Sequence, residues 1–293
     1  MKKAVVFVFI VFLVQGIGFA QEIVTRTITS KLIGSTKDKY IDSLLIALSR
    51  EKEDISKVNT LIKLGYEYSY FLNKNDSIPL FYLKQGISIA QKINYKKGEA
   101  DCYGSIGLIY DAKSNWNLAL ENRLNKLKLE REIDDKKRII KTYSDIGNNY
   151  NNMANYDKAL EMYFASLKIR QQLGDKKSIA ECYGNIAMVY GNKQNTPKQL
   201  ANYLSAQKIY NDIGDENGIA DTESKLAEIY TNEENYNKAL EIYLAKLKIY
   251  KERGDKIYPG LCSSIGIVYM YSKNYDKAIE YLITSVLLNT NML

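Results

Sequence analysis

One hexapeptide keeps returning along this chain. It reads NYDKAL at 155–160, NYNKAL at 235–240 and NYDKAI at 274–279, with a looser copy, NWNLAL, at 115–120. The successive intervals are 40, 80 and 39 residues. A catalytic site is needed once, whereas a motif used at a fixed period of this length marks a structural unit.

Aligned on the hexapeptide, the units begin near Lys96, Lys136, Lys176, Glu216 and Lys256. Each holds two helical patterns. The first reads YGSIGLIY at 103–110, YSDIGNNY at 143–150 and YGNIAMVY at 183–190, with weaker copies ESKLAEIY at 223–230 and CSSIGIVY at 262–269. Tyr143, Ile146, Gly147 and Tyr150 fall at i, i+3, i+4 and i+7, a single stripe of a helix. The small residue at one phase (Gly107, Gly147, Ala187, Ala227, Gly266) lets a neighbouring helix come close. The second helix opens with the hexapeptide. Asn155 is suited to the N-cap, where its side-chain oxygen accepts from an orphaned backbone N–H. Tyr156, Ala159, Tyr163 and Ser166 make the inward stripe, extended by Leu167 and Ile169. Gly174-Asp175, Gly214-Asp215 and Gly254-Asp255 place a glycine where a left-handed residue ends a helix, followed by an aspartate able to cap the next one.

Three places depart from the pattern. In NTPKQL at 195–200, Pro197 suits the first helical turn, but Gln199 replaces the inward alanine, so a looser contact is expected there. The last unit is one residue shorter, with Pro259 early in its first helix. Upstream, LIKLGYEY at 61–68 and SIPLFYLKQGISIA at 77–90 form a degenerate unit, and KYIDSLLIALSRE at 39–51 reads as one more amphipathic helix.

Tyr143, Ile146, Gly147, Tyr150, Ala159 and Tyr163 reproduce the spaced pattern of the tetratricopeptide repeat (TPR), with a Gly-Asp cap in place of its terminal proline. Residues 56–293 resemble that family, in the long, 40-residue form similar to kinesin light chains and GoLoco G-protein modulators. The resemblance implies an all-α fold, an α-α superhelix that is a TPR-like solenoid of helix-turn-helix repeats. It also implies a concave groove lined by the first (A) helices, which holds an extended peptide or a partner helix, and a binding module rather than an enzyme.

The N-terminus reads differently. MKKAVVFVFIVFLVQGIGFA has two lysines, an apolar run from Ala4 to Val14, then Gly18 and Ala20 as small residues before a cleavage point. That order is a secretory signal peptide, cut between Ala20 and Gln21, although an uncleaved anchor has the same beginning. The expected organisation is a signal peptide over 1–20, an irregular lead-in over 21–38, a capping helix over 39–55 and a degenerate repeat over 56–95. Five repeats follow, over 96–135, 136–175, 176–215, 216–255 and 256–293. An exported protein of the periplasm or cell surface is expected, with no membrane span in its mature part.

Composition removes several functions. The chain has no histidine, which excludes Ser-His-Asp and Cys-His catalysis and imidazole metal ligands. Cys102, Cys182 and Cys262 do not form a zinc spacing. They lie 80 residues apart, in alternate units, which is too far for disulfides, and read as small core residues. The 25 tyrosines read as ring packing with hydroxyls reaching the surface. No metal, no cofactor and no catalytic residue is expected.

For the groove, the solvent-facing A-helix positions are Asp145, Asn148, Asn151, Asn152, Asn185, Met188, Asn192, Lys225, Glu228 and Asn232. The carboxamides among them offer donors and acceptors to a peptide backbone, or else serve as caps and turn residues. Lys128, Lys168, Lys208 and Lys248, near Arg170, Lys246, Lys251 and Arg253, form either a basic ridge or a solvated outer face. At the C-terminal end, Leu282, Ile283, Val286 and Leu287 lack a covering helix, so that end is expected to dock on a partner or a second copy. The leading expectation is a scaffold for a protein or peptide partner, in its sharper form the sensing arm of a signalling system. The alternative is a helical-repeat protein that binds nucleic acid, which export and the modest charge of +7 disfavour; no nucleic-acid partner is expected.

Overall fold

The computed structural model describes Leu32 and residues 38–71, 77–253 and 259–290. The leader over 1–20, Gly254 and most of the lead-in lie outside the described residues. Among the described residues there are thirteen α-helices and no strand. They are α1 (Lys39–Arg50), α2 (Ile55–Phe71), α3 (Ser77–Lys92), α4 (Lys96–Ala112), α5 (Trp116–Glu132), α6 (Lys136–Asn152) and α7 (Tyr156–Leu173). The rest are α8 (Lys176–Asn192), α9 (Thr196–Ile213), α10 (Glu216–Asn232), α11 (Tyr236–Arg253), α12 (Pro259–Tyr271) and α13 (Tyr275–Asn289). The fold is all-α and of the TPR-like solenoid class. It divides into two compact units, Met1–Asn155 and Tyr156–Leu293.

The hexapeptide owes its recurrence to the turn it closes. Asn115, Asn195 and Asn274 accept, through their side chains, from the backbone N–H of Leu118, Lys198 and Lys277, and Asn235 does the same for Lys238. Their own N–H groups donate back to the carbonyls of Tyr110, Tyr190, Tyr269 and Tyr230 at 2.8–2.9 Å. The lysine of the motif has a partner too. Lys198, Lys238 and Lys277 sit over the rings of Tyr190, Tyr230 and Tyr269 at 5.1–5.2 Å, worth about 0.5–1 kcal/mol each at exposed sites. In α8, α10 and α12 one tyrosine therefore accepts from the cap residue through its backbone carbonyl and meets the motif lysine through its ring.

Aspartates begin α6, α8 and α10, whereas α4 starts after Tyr95 without a side-chain cap. Asp135, Asp175 and Asp215 accept from the N–H groups of Arg138, Ser178 and Gly218. Gly174 and Gly214 take the left-handed conformation, both at φ 69°. The sequence did not signal the other left-handed positions. Ser114, Ala154, Gln194, Glu234 and Lys273 at the A-to-B tips, with Asn94 and Asp134, adopt φ of 52–62° without being glycine.

In the first unit, α1 turns Ile41, Leu44, Leu45 and Leu48 inward, and the core continues through Leu61, Leu64, Tyr82, Leu83, Cys102 and Ile106. Leu32 packs on this core. Gly65 is required there, because a Cβ would lie 2.5 Å from Leu83 Cγ. Contrary to the expectation that tyrosine hydroxyls reach the surface, that of Tyr68 is buried and has no hydrogen-bond partner among the described residues. Its ring stacks on Tyr82 at 5.8 Å, and burial, with the nearby Tyr82 and Asp42, pushes its pKa well up.

In the second unit the core runs through Ala180, Ala206 and Tyr210, then Ala187, Tyr203 and Leu226, then Ala227, Tyr243, Leu261, Ile265 and Val268. All three cysteines of the chain are buried free thiols. Two residues counted toward a basic ridge turn inward instead. Arg170 is buried, donating to Ser166 Oγ at 3.1 Å and to the Ser178 carbonyl at 2.9 Å. Lys246 donates to the Ala220 carbonyl at 3.1 Å. At the end of the chain Leu282 covers Gly266, where a Cβ would come within 2.8 Å of its Cγ. Leu282 and Leu287 are half-buried, so the open stripe of α13 is Tyr275, Ile279, Ile283 and Val286. No helix among the described residues is long and apolar enough to cross a membrane.

Candidate functional site

The second unit contains a cleft of about 480 Å³ walled by α8, the turn into α9, the first turns of α9, and α10. Its origin is the departure at 195–200. Where other hairpins place an inward alanine (Ala119, Ala239, Ala278), α9 places Gln199. The opposing residue is Gly191, and a Cβ there would lie 2.4 Å from Gln199 Nε2. The long carboxamide is thus accommodated by removal of a facing side chain. It makes no hydrogen bond to another described residue and lines the cleft.

Five of the predicted groove residues line the same cleft: Met188, Asn192, Lys225, Glu228 and Asn232. Asn185, on α8, is half-buried and does not. Lys225 and Glu228 pair at 3.7 Å on the exposed side of α10. Tyr203 and Ile229, both buried, close the interior, and burial raises the pKa of the Tyr203 hydroxyl. Gln194, Gln199 and Thr196 are lining residues that the sequence reading did not select. Gln199 broke the repeat pattern, and Gly191 stood opposite it.

Chemically the cleft is lined mainly by carboxamides and charged side chains. Asn192, Gln194, Gln199 and Asn232 each carry an amide with N–H donors and a C=O acceptor, the group types that pair with an amide ligand. The size lies within the usual range for ligand clefts, about 300–1,000 Å³. Among the described residues no group of three His, Cys, Asp or Glu side chains is placed to hold a metal ion.

The other four predicted residues lie on α6 in the first unit. Asn148 and Asn152 are exposed, but Asp145 and Asn151 are half-buried rather than solvent-facing. Asp145 lies 4.0 Å from Lys126 Nζ. Burial raises its pKa, against the opposing pull of Arg123, Lys126 and Lys141. The Lys126 pKa is lowered, again first by burial.

Asn149 of α6 is buried, one position from the predicted Asn148. Its Nδ2 donates to Asp111 Oδ1 at 3.0 Å, and its Oδ1 accepts from Arg123, which also holds Asp111 through Nη1 and Nη2. Beside this triad the fully buried Glu130 accepts from Arg138 Nε at 3.1 Å and Thr142 Oγ1 at 2.6 Å, and Arg138 reaches Asp101 at 2.6 Å. A signal existed in the sequence. Arg123 stands at the register of Tyr163, Tyr203 and Tyr243, and Asn149 at that of Val189, Ile229 and Val268.

One structural position is therefore filled in three ways. In the first unit, Asp111, Arg123 and Asn149 lock it with charge. At the α9–α10 joint the equivalents are Gly191, Tyr203 and Ile229, and it opens as the cleft. At the α11–α12 joint they are Thr231, Tyr243 and Val268, the last two members of one apolar cluster.

Comparison with solved structures shows where the fold recurs. A signal-transduction ATPase with a tetratricopeptide repeat sensor from Pyrococcus horikoshii superposes with a TM-score of 0.70 at 19% identity, over 92% of this chain and 43% of that one. Kinesin light chain TPR-like repeats of Podosopora anserina give 0.57 at 13% identity, over 70% of this chain and 100% of that one. A Rap protein complexed with Competence and Sporulation Factor gives 0.51 at 13% identity, over 93% and 98%. At these identities the likeness shows the fold. A search of curated proteins found no match. The family model of the soluble NSF attachment proteins (SNAP) matches residues 88–282, which is 195 of the 293 residues, and the chain belongs to that TPR-like family.

Proposed function

We propose that this chain is an exported, non-catalytic scaffold that holds an extended peptide segment of a protein partner, with the cleft between α8, α9 and α10 as the holding point. The carrying observation is the convergence of four carboxamides on one cleft, among them Gln199, whose side-chain amide bonds to no other described residue. Side-chain amides pair with main-chain amides at any residue, so such a cleft grips a backbone while Met188 and the Lys225–Glu228 pair sample the flanking side chains. The fold is that of a tetratricopeptide repeat sensor in the Pyrococcus ATPase and of a Rap protein complexed with Competence and Sporulation Factor. Those likenesses support a role as the sensing or interaction arm of a signalling system. The leader over 1–20 supports export to the periplasm or cell surface.

Selection of peptides from a random display library on the full chain, followed by fluorescence anisotropy of the winners, tests the site. Gln199→Ala and the pair Asn192→Ala/Asn232→Ala are expected to weaken binding at least tenfold with helical content unchanged by circular dichroism. Equal affinity for all three proteins removes the cleft from the proposal. For export, mass spectrometry of the protein from its native envelope is expected to show Gln21 as the first residue, and an intact Met1 there refutes cleavage.

A further inference from the structure

The outer faces of the second (B) helices in the second unit carry a banded pattern. At one register α7 presents Glu161, Phe164 and Lys168, α9 presents Ala201, Leu204 and Lys208, and α11 presents Glu241, Leu244 and Lys248. In α13 the same register reads Glu280, Ile283 and Leu287. Positions i, i+3 and i+7 share one helix face. Each helix thus shows an acidic or neutral end, an apolar middle and, in three of the four, a lysine.

In three of the four helices the middle band is open to solvent, with Phe164 45% exposed, Leu204 46% and Ile283 54%; Leu244 is half-buried, its inner side packed against the core cluster of the α11–α12 joint. The glutamates and lysines named are all exposed. Lys248 lies 3.7 Å from Glu252 on its own helix. Glu161, Lys168, Lys208 and Glu241 form no ion pair with another described residue. Single exposed apolar residues are ordinary. A row at constant register between rows of opposite charge is a docking pattern.

We infer that this face docks a second copy of the chain. The seven-residue spacing from Glu161 to Lys168 spans about 10.5 Å along the helix, and its midpoint falls beside Phe164. A two-fold rotation that reverses helix direction about that midpoint sets Glu161 of one copy against Lys168 of the other. It sets Phe164 against the matching apolar strip. The same operation sets Glu241 against Lys248 and centres on Leu244. The other two-fold, which keeps facing helices parallel, puts lysine on lysine and is rejected by repulsion. The face is therefore self-complementary in one orientation, as an isologous interface requires. Exposed ion pairs add little affinity each, so the apolar strip supplies the attraction and the charged rows fix the direction. An anionic lipid surface is the weaker candidate, because it would attract the lysine row and repel the glutamate row.

Multi-angle light scattering of the full chain over a concentration series tests this. The unaltered protein is expected to reach twice the mass of one chain. Lys168→Glu/Lys208→Glu/Lys248→Glu makes the face wholly acidic, and Glu161→Lys/Glu241→Lys makes it basic; each variant alone is expected at single-chain mass with unchanged helical content. Their equimolar mixture is expected to recover the doubled mass. A single-chain mass for the unaltered protein at every concentration overturns the inference, as does a dimer indifferent to both charge reversals, or a mixture that stays monomeric. Binding of the unaltered chain to phosphatidylserine vesicles, lost in the acidic variant without any self-association, overturns it in favour of a lipid surface.

Discussion

Removing Arg123 is the perturbation that separates a structural lock from incidental surface charge. Arg123 is buried and holds Asp111 and Asn149 at once. Arg123→Met keeps much of the apolar stem but strands two partners. Breaking a buried pair costs about 3–5 kcal/mol. Asp111 retains 22% side-chain exposure and its bond from Asn149 Nδ2, so the lower end, about 3 kcal/mol, applies. The remedy is written elsewhere in the chain. Asp111→Thr/Arg123→Tyr/Asn149→Val transplants the Thr231, Tyr243 and Val268 arrangement of the α11–α12 joint, and exchange of a buried ion pair for packed apolar groups is often neutral or better. That triple variant is expected within about 1 kcal/mol of the parent. Stacked repeats open locally, so the assay is hydrogen exchange by mass spectrometry over α4, α5 and α6, not a single global melt. Exchange in Arg123→Met is expected to accelerate there by roughly two orders of magnitude, since each 1.4 kcal/mol is tenfold, and to stay unchanged in α12 and α13. Equal acceleration in the single and triple variants would refute the reasoning, because the loss would then owe nothing to stranded polar partners.

Two further outcomes follow from burial and capping. Burial pushes the Cys102 thiol up to about 12 and the Cys182 thiol up to about 11, so at pH 8 all three cysteines are expected to resist a thiol-reactive dye until the protein is unfolded; rapid native labelling of Cys102 or Cys182 would show that the packing is wrong. Asp215 has its pKa depressed by the hydrogen bond from Lys177, 2.7 Å away, and by the N–H of Gly218. A depressed carboxylate stabilises the fold above its unfolded pKa, about 3.9, and that contribution disappears as pH falls through the lower folded value. Asp215→Asn is therefore expected to flatten acid fraying of α10 below about pH 4, read by amide exchange, and an unaltered acid profile would exclude this cap as a source.

Much of the fold was legible because its signals are local and repeated. Asn caps, Gly174 and Gly214, and the buried Ala and Tyr positions each follow from a few neighbouring residues. What escaped depends on contacts between helices. Asn148 and Asn149 differ by 100° around one helix, and only the presence of Arg123 and Asp111 makes the second a buried partner. Arg170 and Lys246 looked like surface cations but reach carbonyls of the adjoining A helix. Within the site, position 199 stood out because it broke a period, whereas Gly191, which makes room for it, is one glycine among 17 and carried no periodic mark. The left-handed tips were invisible for a related reason: their conformation is imposed by the capping asparagine and its carbonyl bonds, not by the residue that adopts it.

Those tips bear on how such a chain lengthens. Five unlike residues (Ser114, Ala154, Gln194, Glu234 and Lys273) make the same reversal. A copied hairpin therefore arrives with its bend already encoded by the asparagine that follows, and the tip residue is left to drift. Growth by duplication then demands compatibility along the flanks of the helices alone, which makes the number of hairpins the easiest property of this architecture to change.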